Sequence, residues 1–390
     1  MNTTAPFRLR QAGLSLIELM IAMVIGLVLM LGVVQIFIAS RAASQLSEGS
    51  ARTQENARFA LDFLQRDLRM AGHFGCVNDQ AHAVKAIDAI GYHLDGVTSG
   101  SGEPLDFSVP IQGYEATGTA PTNTLTLGAT WSAVAAAPKS ITGLKPAPLP
   151  GSDILVLRYL DADGVTVTGI AAAPAESTLT ISTAGGKRLN AGVDGGASVF
   201  AIADCTRADV FVGSISGGTL TALKTDLSNY SANNAMTMVY RADAVVYYVA
   251  SNTANEPALF RARAKGDNTY GAAEELVEGI ESLQFLYGLD EATDIGVLKP
   301  PTGNIVGQQP ANNVSTGTDA AAVAQWRRVG MVQIGLLARS PQQAGAEAPK
   351  SADNYLGVLG VTIAPGSKDD KRYRASYELS VALRNRLYGN

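Results

Sequence analysis

From Leu14 to Ser40 the chain is apolar apart from small polar side chains, Gln35 and a single charge, Glu18. Between Leu19 and Ser40 there is neither a charged residue nor a proline. As a helix these roughly 22 residues rise ~33 Å, enough to cross the ~30 Å hydrocarbon core of a bilayer. The pattern then changes without a helix breaker. Arg41 to Gly72 also lacks proline, and Ala57, Leu61, Leu64, Leu68 and Ala71 recur at i, i+4, i+7, i+11 and i+14. That spacing draws one apolar stripe. Arg52, Glu55, Arg58, Asp62, Arg66, Asp67 and Arg69 fill the other face, as an amphipathic helix laid on a globular domain requires. Gly72 and Gly75 supply the stop. A helix of about 59 residues, roughly 88 Å long, is predicted.

Beyond residue 76 the period becomes two. Asp153 to Leu160, Val199 to Ala203, Ala244 to Val249, Glu281 to Tyr287 and Arg328 to Ala338 read as strands closed by Gly, Asp or Asn. Near the C-terminus Tyr373, Ala375, Tyr377, Leu379, Val381 and Leu383 alternate with Arg372, Arg374, Ser376, Glu378 and Ser380, a half-buried strand. The Gly/Ala/Thr/Ser-rich stretches 95–150 and 290–325 read as long surface loops outside the core. No internal repeat is evident. The fold class expected is α+β, a long helix packed on a β-sheet-rich head.

Arg8 and Arg10 precede the apolar span, so the positive-inside rule keeps the N-terminus cytoplasmic and sends the remainder outward. The apolar run exceeds the core of a cleaved secretory signal, and no small-residue cleavage site follows it. A plain signal anchor fits the length but gives no reason for Glu18, since a carboxylate there costs a few kcal/mol unless paired. The alternative is that Glu18 sits at the interface, where the helix dipole favours negative charge.

Composition narrows the chemistry. Charged residues make up 17% and the formal net charge is −5, which marks no general nucleic-acid binder. Three His (His73, His82, His93) and two Cys (Cys76, Cys205) exclude a four-thiolate zinc site and a disulfide-dense scaffold. Export makes a Cys76–Cys205 disulfide permissible, tying the helix end to the sheet, in preference to two buried free thiols. His73 and Cys76 stand at i, i+3 without a strong ligand motif, so no metal is assigned. Asp161-Ala-Asp163-Gly164 resembles half a calcium loop but reads better as a turn. Asp290, Glu291 and Asp294 read as a solvated acidic loop. There is no Gly-x-Ser-x-Gly elbow, and Gly185-Gly186-Lys187-Arg188 lacks the rest of a phosphate loop. An enzyme is not indicated, nor is any cofactor. Lys371, Arg372, Arg374, Arg384 and Arg386 form a basic C-terminal cluster, read as a partner surface or a solvated strand face rather than a nucleic-acid site.

Gln11-Ala12-Gly13-Leu14-Ser15-Leu16-Ile17-Glu18-Leu19-Met20 resembles the type III signal of type IV prepilins and pseudopilins. The resemblance implies removal of a leader by a prepilin peptidase after Gly13 and N-methylation of Leu14, where the family usually has Phe. It places Glu18 at the fifth mature position, where it would meet the N-terminal amine of a neighbouring subunit. The segments Asp67 to Cys76, Gly279 to Gly288, Trp326 to Arg339 and Arg372 to Arg386 are similar to the PilW family of minor pilins, which resemble J-type pseudopilins. The organisation implied is a leader at 1–13, a transmembrane and filament-core helix at 14–40, its amphipathic half at 41–75, and a β-rich head at 76–390. The partners implied are other minor pilins, the major pilin, the prepilin peptidase and the inner membrane, with a place in a tip complex that primes pilus assembly. The alternatives are a J-type pseudopilin of type II secretion, a tip adhesin or a DNA-uptake pilin.

Overall fold

The computed structural model describes residues 15–78, 90–127, 132, 137–193, 195–232, 236–293, 295, 301–345, 355–364 and 370–387. A single uninterrupted helix, α1, runs over Leu16–Met70. Its first half stands clear of the rest of the chain: the apolar side chains from Leu16 to Ile38 are exposed, and the most apolar window has a mean hydropathy of 2.8 with none of it buried. The second half lies in the head, burying Gly49, Thr53, Ala57, Ala60, Leu64, Asp67 and Leu68. The buried stripe is centred on Ala60 rather than Leu61, which is only partly covered at its flank. Asp67, expected on the charged face, is buried instead. The small residues let the helix approach closely; a Cβ on Gly49 would stand 2.5 Å from the Ala344 Cβ. Gly72, at φ +74°, ends the helical path and donates its N–H to the Arg158 carbonyl at 3.2 Å.

Two sheets and α1 share one core. In the larger, twelve-stranded sheet, the fourteen-residue strand Met238–Ser251 is the spine. Its first half pairs antiparallel with Val199–Ala203, and its second half with Ile154–Leu160 and Pro257–Arg263. Ile111–Tyr114 extends this sheet beyond Ile154–Leu160. The other sheet has four strands in the order Ile305–Gln309, Ile280–Asp290, Val329–Arg339, Arg374–Ala382. Leu64 and Leu68 of α1 meet Leu155, Leu157 and Tyr247 of the larger sheet and Phe285, Ile334 and Leu336 of the smaller in one apolar cluster. A long helix packed on an extensive open β structure is the α+β architecture that the periodicities imply.

The two stretches read as surface loops are partly core. Leu105, Phe107, Val109 and Ile111 are at most 2% exposed. In the second stretch Ala311, Val314 and Val323 are buried, and Ile305–Gln309 is a sheet edge. The reason is local. Residues 103–110 are irregular, so their backbone polar groups cannot pair in a ladder, and the buried Arg158 guanidinium takes their place by donating to the carbonyls of Glu103, Pro104 and Val109 at 2.7, 2.8 and 2.6 Å.

Candidate functional site

The chemistry-bearing end of the molecule is the start of α1. Gly13 and Leu14 lie outside the described residues. Ser15 is the N-cap: its hydroxyl accepts from the Glu18 N–H at 3.2 Å, while the Glu18 carboxylate accepts from the Ser15 N–H at 3.3 Å. This reciprocal box satisfies two donors that a helix start leaves free. The Ser15 and Glu18 side chains are exposed, and among the described residues no basic side chain pairs with the carboxylate. Glu18 is thus held one turn into the apolar helix, with a preformed hydrogen bond that a nearby amine could replace.

At its other end α1 is fixed by polar contacts at the rim of its apolar seam. The Asp67 carboxylate accepts from the Tyr247 hydroxyl at 2.5 Å and from Arg261 Nη1 at 3.4 Å, and Arg261 also donates to Glu274 at 3.0 Å. Burial, then the neighbouring Asp67 carboxylate, raises the Tyr247 phenol well above its ordinary range, so it stays a donor. Asn56 Nδ2 donates to the Glu278 carbonyl at 3.1 Å, and Asn385 Nδ2 donates to the Arg69 carbonyl at 2.9 Å. Beside Gly49 lies an ion network. Arg339 and Arg372 share Glu256, Arg339 and Arg374 share Glu281, and Arg374 also reaches Asp370. Two of the C-terminal arginines read as a solvated face are therefore internally neutralised, because the adjoining strands bring matching carboxylates to them. Lys371 and Arg384 remain exposed, and the Arg386 side chain lies outside the described residues.

Just past the helix, Cys76 is joined to Cys205 by a disulfide, with Cα atoms 4.7 Å apart and a sequence separation of 129. Both cysteines are exposed. The Cys205 side is preformed by a turn in which Asp204 Oδ1 accepts from the N–H groups of Thr206 and Arg207 at 2.7 and 3.0 Å. Replacing both cysteines by serine should lower the unfolding free energy by about 2–4 kcal/mol, chiefly by freeing the denatured chain. Thermal melts of the oxidised protein and the double variant check this, and equal midpoints would rule it out.

The remaining sequence candidates have structural duties. His73 Nδ1 lies 2.9 Å from the Leu160 carbonyl, and His93 Nε2 lies 2.7 Å from Asp209 Oδ1. His82 falls outside the described residues. Asp161 is bound by Arg241. Asp290, expected to be solvated, is 1% exposed. Its carboxylate accepts from the N–H groups of Ala292, Thr302 and Gly303 at 2.8, 3.1 and 2.7 Å, so it shapes the loop rather than facing water. Asp294 is outside the described residues. Among the described residues no group of three or more His, Cys, Asp or Glu could hold a metal. Asp67, Arg158, Glu115 and Asp153 carry the buried polar structure, and nothing in their sequence surroundings distinguishes them from surface charges.

Residues 246–385 match the family model of PilW, type IV pilus-assembly protein W. Residues 8–34 match the prokaryotic N-terminal methylation motif. No curated protein matches the chain. Among solved structures, a type IV-like pilin from Thermus thermophilus is similar at 19% identity over 38% of this chain and 70% of its own, with a TM-score of 0.22. The sequence matches point to a structural, non-enzymatic pilus protein. A methylation motif on an exposed apolar helix, and a PilW match over residues 246–385 in the sheets that hold that helix, make the chain similar at both ends to proteins of the type IV pilin family.

Proposed function

We propose that this chain is a minor pilin that primes type IV pilus assembly and enters the filament at its tip with other minor pilins. Processing after Gly13 and methylation of Leu14 precede assembly. Residues 14–40 hold the subunit in the inner membrane with its N-terminus in the cytoplasm, residues 41–75 seat the helix, and the head from 76 onward lies in the periplasm. The observation that supports this best is the division of α1: an apolar half free of the head, headed by Glu18, and a half fixed in a bulky β structure. A free apolar helix needs other apolar helices or lipid around it. A head this large suits the end of a filament, where it has no neighbours above, better than the shaft.

The test is a chromosomal deletion followed by cross-linking and mass spectrometry of complemented pili. Loss of surface pili on deletion, with cross-links from this head confined to other minor pilins and the first major subunits, is the expected result. Normal pilus number with lost adhesion would replace the priming role by an adhesive one. Recovery in a secretion pseudopilus would replace it by the J-type reading.

A further inference from the structure

The groups that the assembly reading leaves unused include two buried carboxyls at the junction of the sheets. Glu115, which follows strand Ile111–Tyr114, is 3% exposed, and Asp153, which precedes strand Ile154–Leu160, is equally buried at 3%. Glu115 Oε2 accepts from the N–H of Ala311, the first residue of helix Ala311–Val314, at 3.1 Å. Asp153 accepts from the Ala116 N–H at 2.9 Å and, on its other oxygen, from the Phe285 N–H of the smaller sheet at 3.1 Å. One carboxyl thus holds the short helix, and the other holds the second sheet.

Thr119 joins the two. Its Oγ1 lies 2.7 Å from the Ala116 carbonyl, 3.1 Å from Asp153 Oδ1 and 3.3 Å from Glu115 Oε1. A hydroxyl has one hydrogen, and three acceptors surround this one. The carbonyl, nearest and never a donor, takes it. Two ionised carboxylates would then face the hydroxyl lone pairs, acceptor against acceptor. A proton on either carboxyl resolves the conflict by donating to Thr119 Oγ1.

Among the described residues, neither carboxyl takes part in an ion pair with Lys, Arg or His. The titratable group facing them from strand Ile280–Asp290 is Tyr287, whose buried hydroxyl lacks a partner and is kept neutral by burial and by the two carboxyls. On the Ile111–Tyr114 strand the titratable neighbour is Tyr114, also neutral through burial. Glu115 also lines a cleft with Gln112, Ala311, Asn312 and Ser315.

We propose that Glu115 and Asp153 share a single proton and form a pH-sensitive latch that clamps helix Ala311–Val314 to the two sheets and lets go when that proton is lost. Burial pushes the Glu115 carboxyl up to about 7, the Ala311 and Thr119 bonds offsetting part of the rise. Burial first, and then the neighbouring Glu115, raises Asp153 well above the carboxylate range. Both folded-state values lie above the unfolded carboxyl range of about 4, so the stability they supply is complete below that range and is lost as pH rises through about 7.

The test uses the full chain in detergent micelles and two isosteric variants, Glu115→Gln and Asp153→Asn. In the parent, the melting midpoint should fall as pH rises from about 4.5 to about 7.5, the interval in which the folded chain holds a proton that the unfolded chain has lost. Amide exchange of residues 311–318, corrected for intrinsic rates, should accelerate about tenfold or more over the same interval. Glu115→Gln, permanently neutral, should flatten the pH slope and keep that segment protected at the alkaline end. Infrared spectra of the parent near neutral pH should show a protonated carboxyl band that Glu115→Gln or Asp153→Asn removes. The latch is overturned if neither variant changes the pH slope, or if the parent shows no such band at about pH 6.

Discussion

A Glu18→Ala variant should insert into the inner membrane at parental levels yet be absent from purified pili. The physical reason is differential. In the membrane-bound subunit Glu18 lies one turn from the helix start, where interfacial water and the Ser15 N–H stabilise it. In a filament core built from apolar helices that water is lost, and an unpaired carboxylate there costs several kcal/mol. A neighbour's methylated N-terminal amine would supply the missing charge, so alanine forfeits an attraction specific to assembly while making the single helix slightly more apolar. Quantitative mass spectrometry of sheared pili, normalised to the membrane pool, measures the ratio. A reduction of at least about tenfold is expected, the equivalent of 1.4 kcal/mol or more of lost association. Parental copy number in the filaments would remove Glu18 from the assembly step. Glu18→Gln separates charge from shape, and it should fail nearly as badly because its amide cannot neutralise an amine.

Arg158→Met should be the most damaging single change in the head. The Arg158 side chain is fully buried, and its guanidinium donates to three carbonyls of segment 103–110. Its backbone N–H donates to the Pro110 carbonyl and its own carbonyl accepts from Gly72 at the end of α1. Methionine preserves most of the volume but orphans the three carbonyls, each at a desolvation cost of about 1–3 kcal/mol, for a total near 3–5 kcal/mol after relaxation. Denaturant titration of the full chain reads this as a lower midpoint with an unchanged slope. Protease cleavage within 103–110 should appear at denaturant concentrations where the parent is intact. A change below about 1 kcal/mol would show that water substitutes for the guanidinium.

Both results turn on features that differ in how visible they are along the chain. Glu18 stands out because it is the one charge in an apolar run, and the cost of a carboxylate in hydrocarbon is independent of the rest of the fold. The strands Ile154–Leu160, Val199–Ala203, Val329–Arg339 and Arg374–Ala382 were legible for a related reason: a period of two, or a short unbroken apolar run, records which face is buried. Leu105, Phe107, Val109 and Ile111 carry that same alternation, but Gly, Ser and Pro around them mimic a surface loop. Their burial depends on a donor supplied 49 to 55 residues away in sequence from the carbonyls it serves, and local pattern cannot register it. The arginines at 372 and 374 mislead in the opposite direction, since charge on an alternating strand suggests water until Glu256, Glu281 and Asp370 are placed against them.

The sequence by itself determined the long helix, its division into an exposed apolar half and a packed half, the α+β class and the N-terminal methylation motif. Each follows from near-neighbour spacing or from a short string, and the energies involved are local or refer to the solvent. Only the tertiary structure decided which polar groups are interior: Asp67 against Tyr247, Arg158 against three carbonyls, Glu115 and Asp153 around one hydroxyl. A buried charge is tolerated or not according to partners brought from distant segments, and that information exists only once the chain has closed on itself.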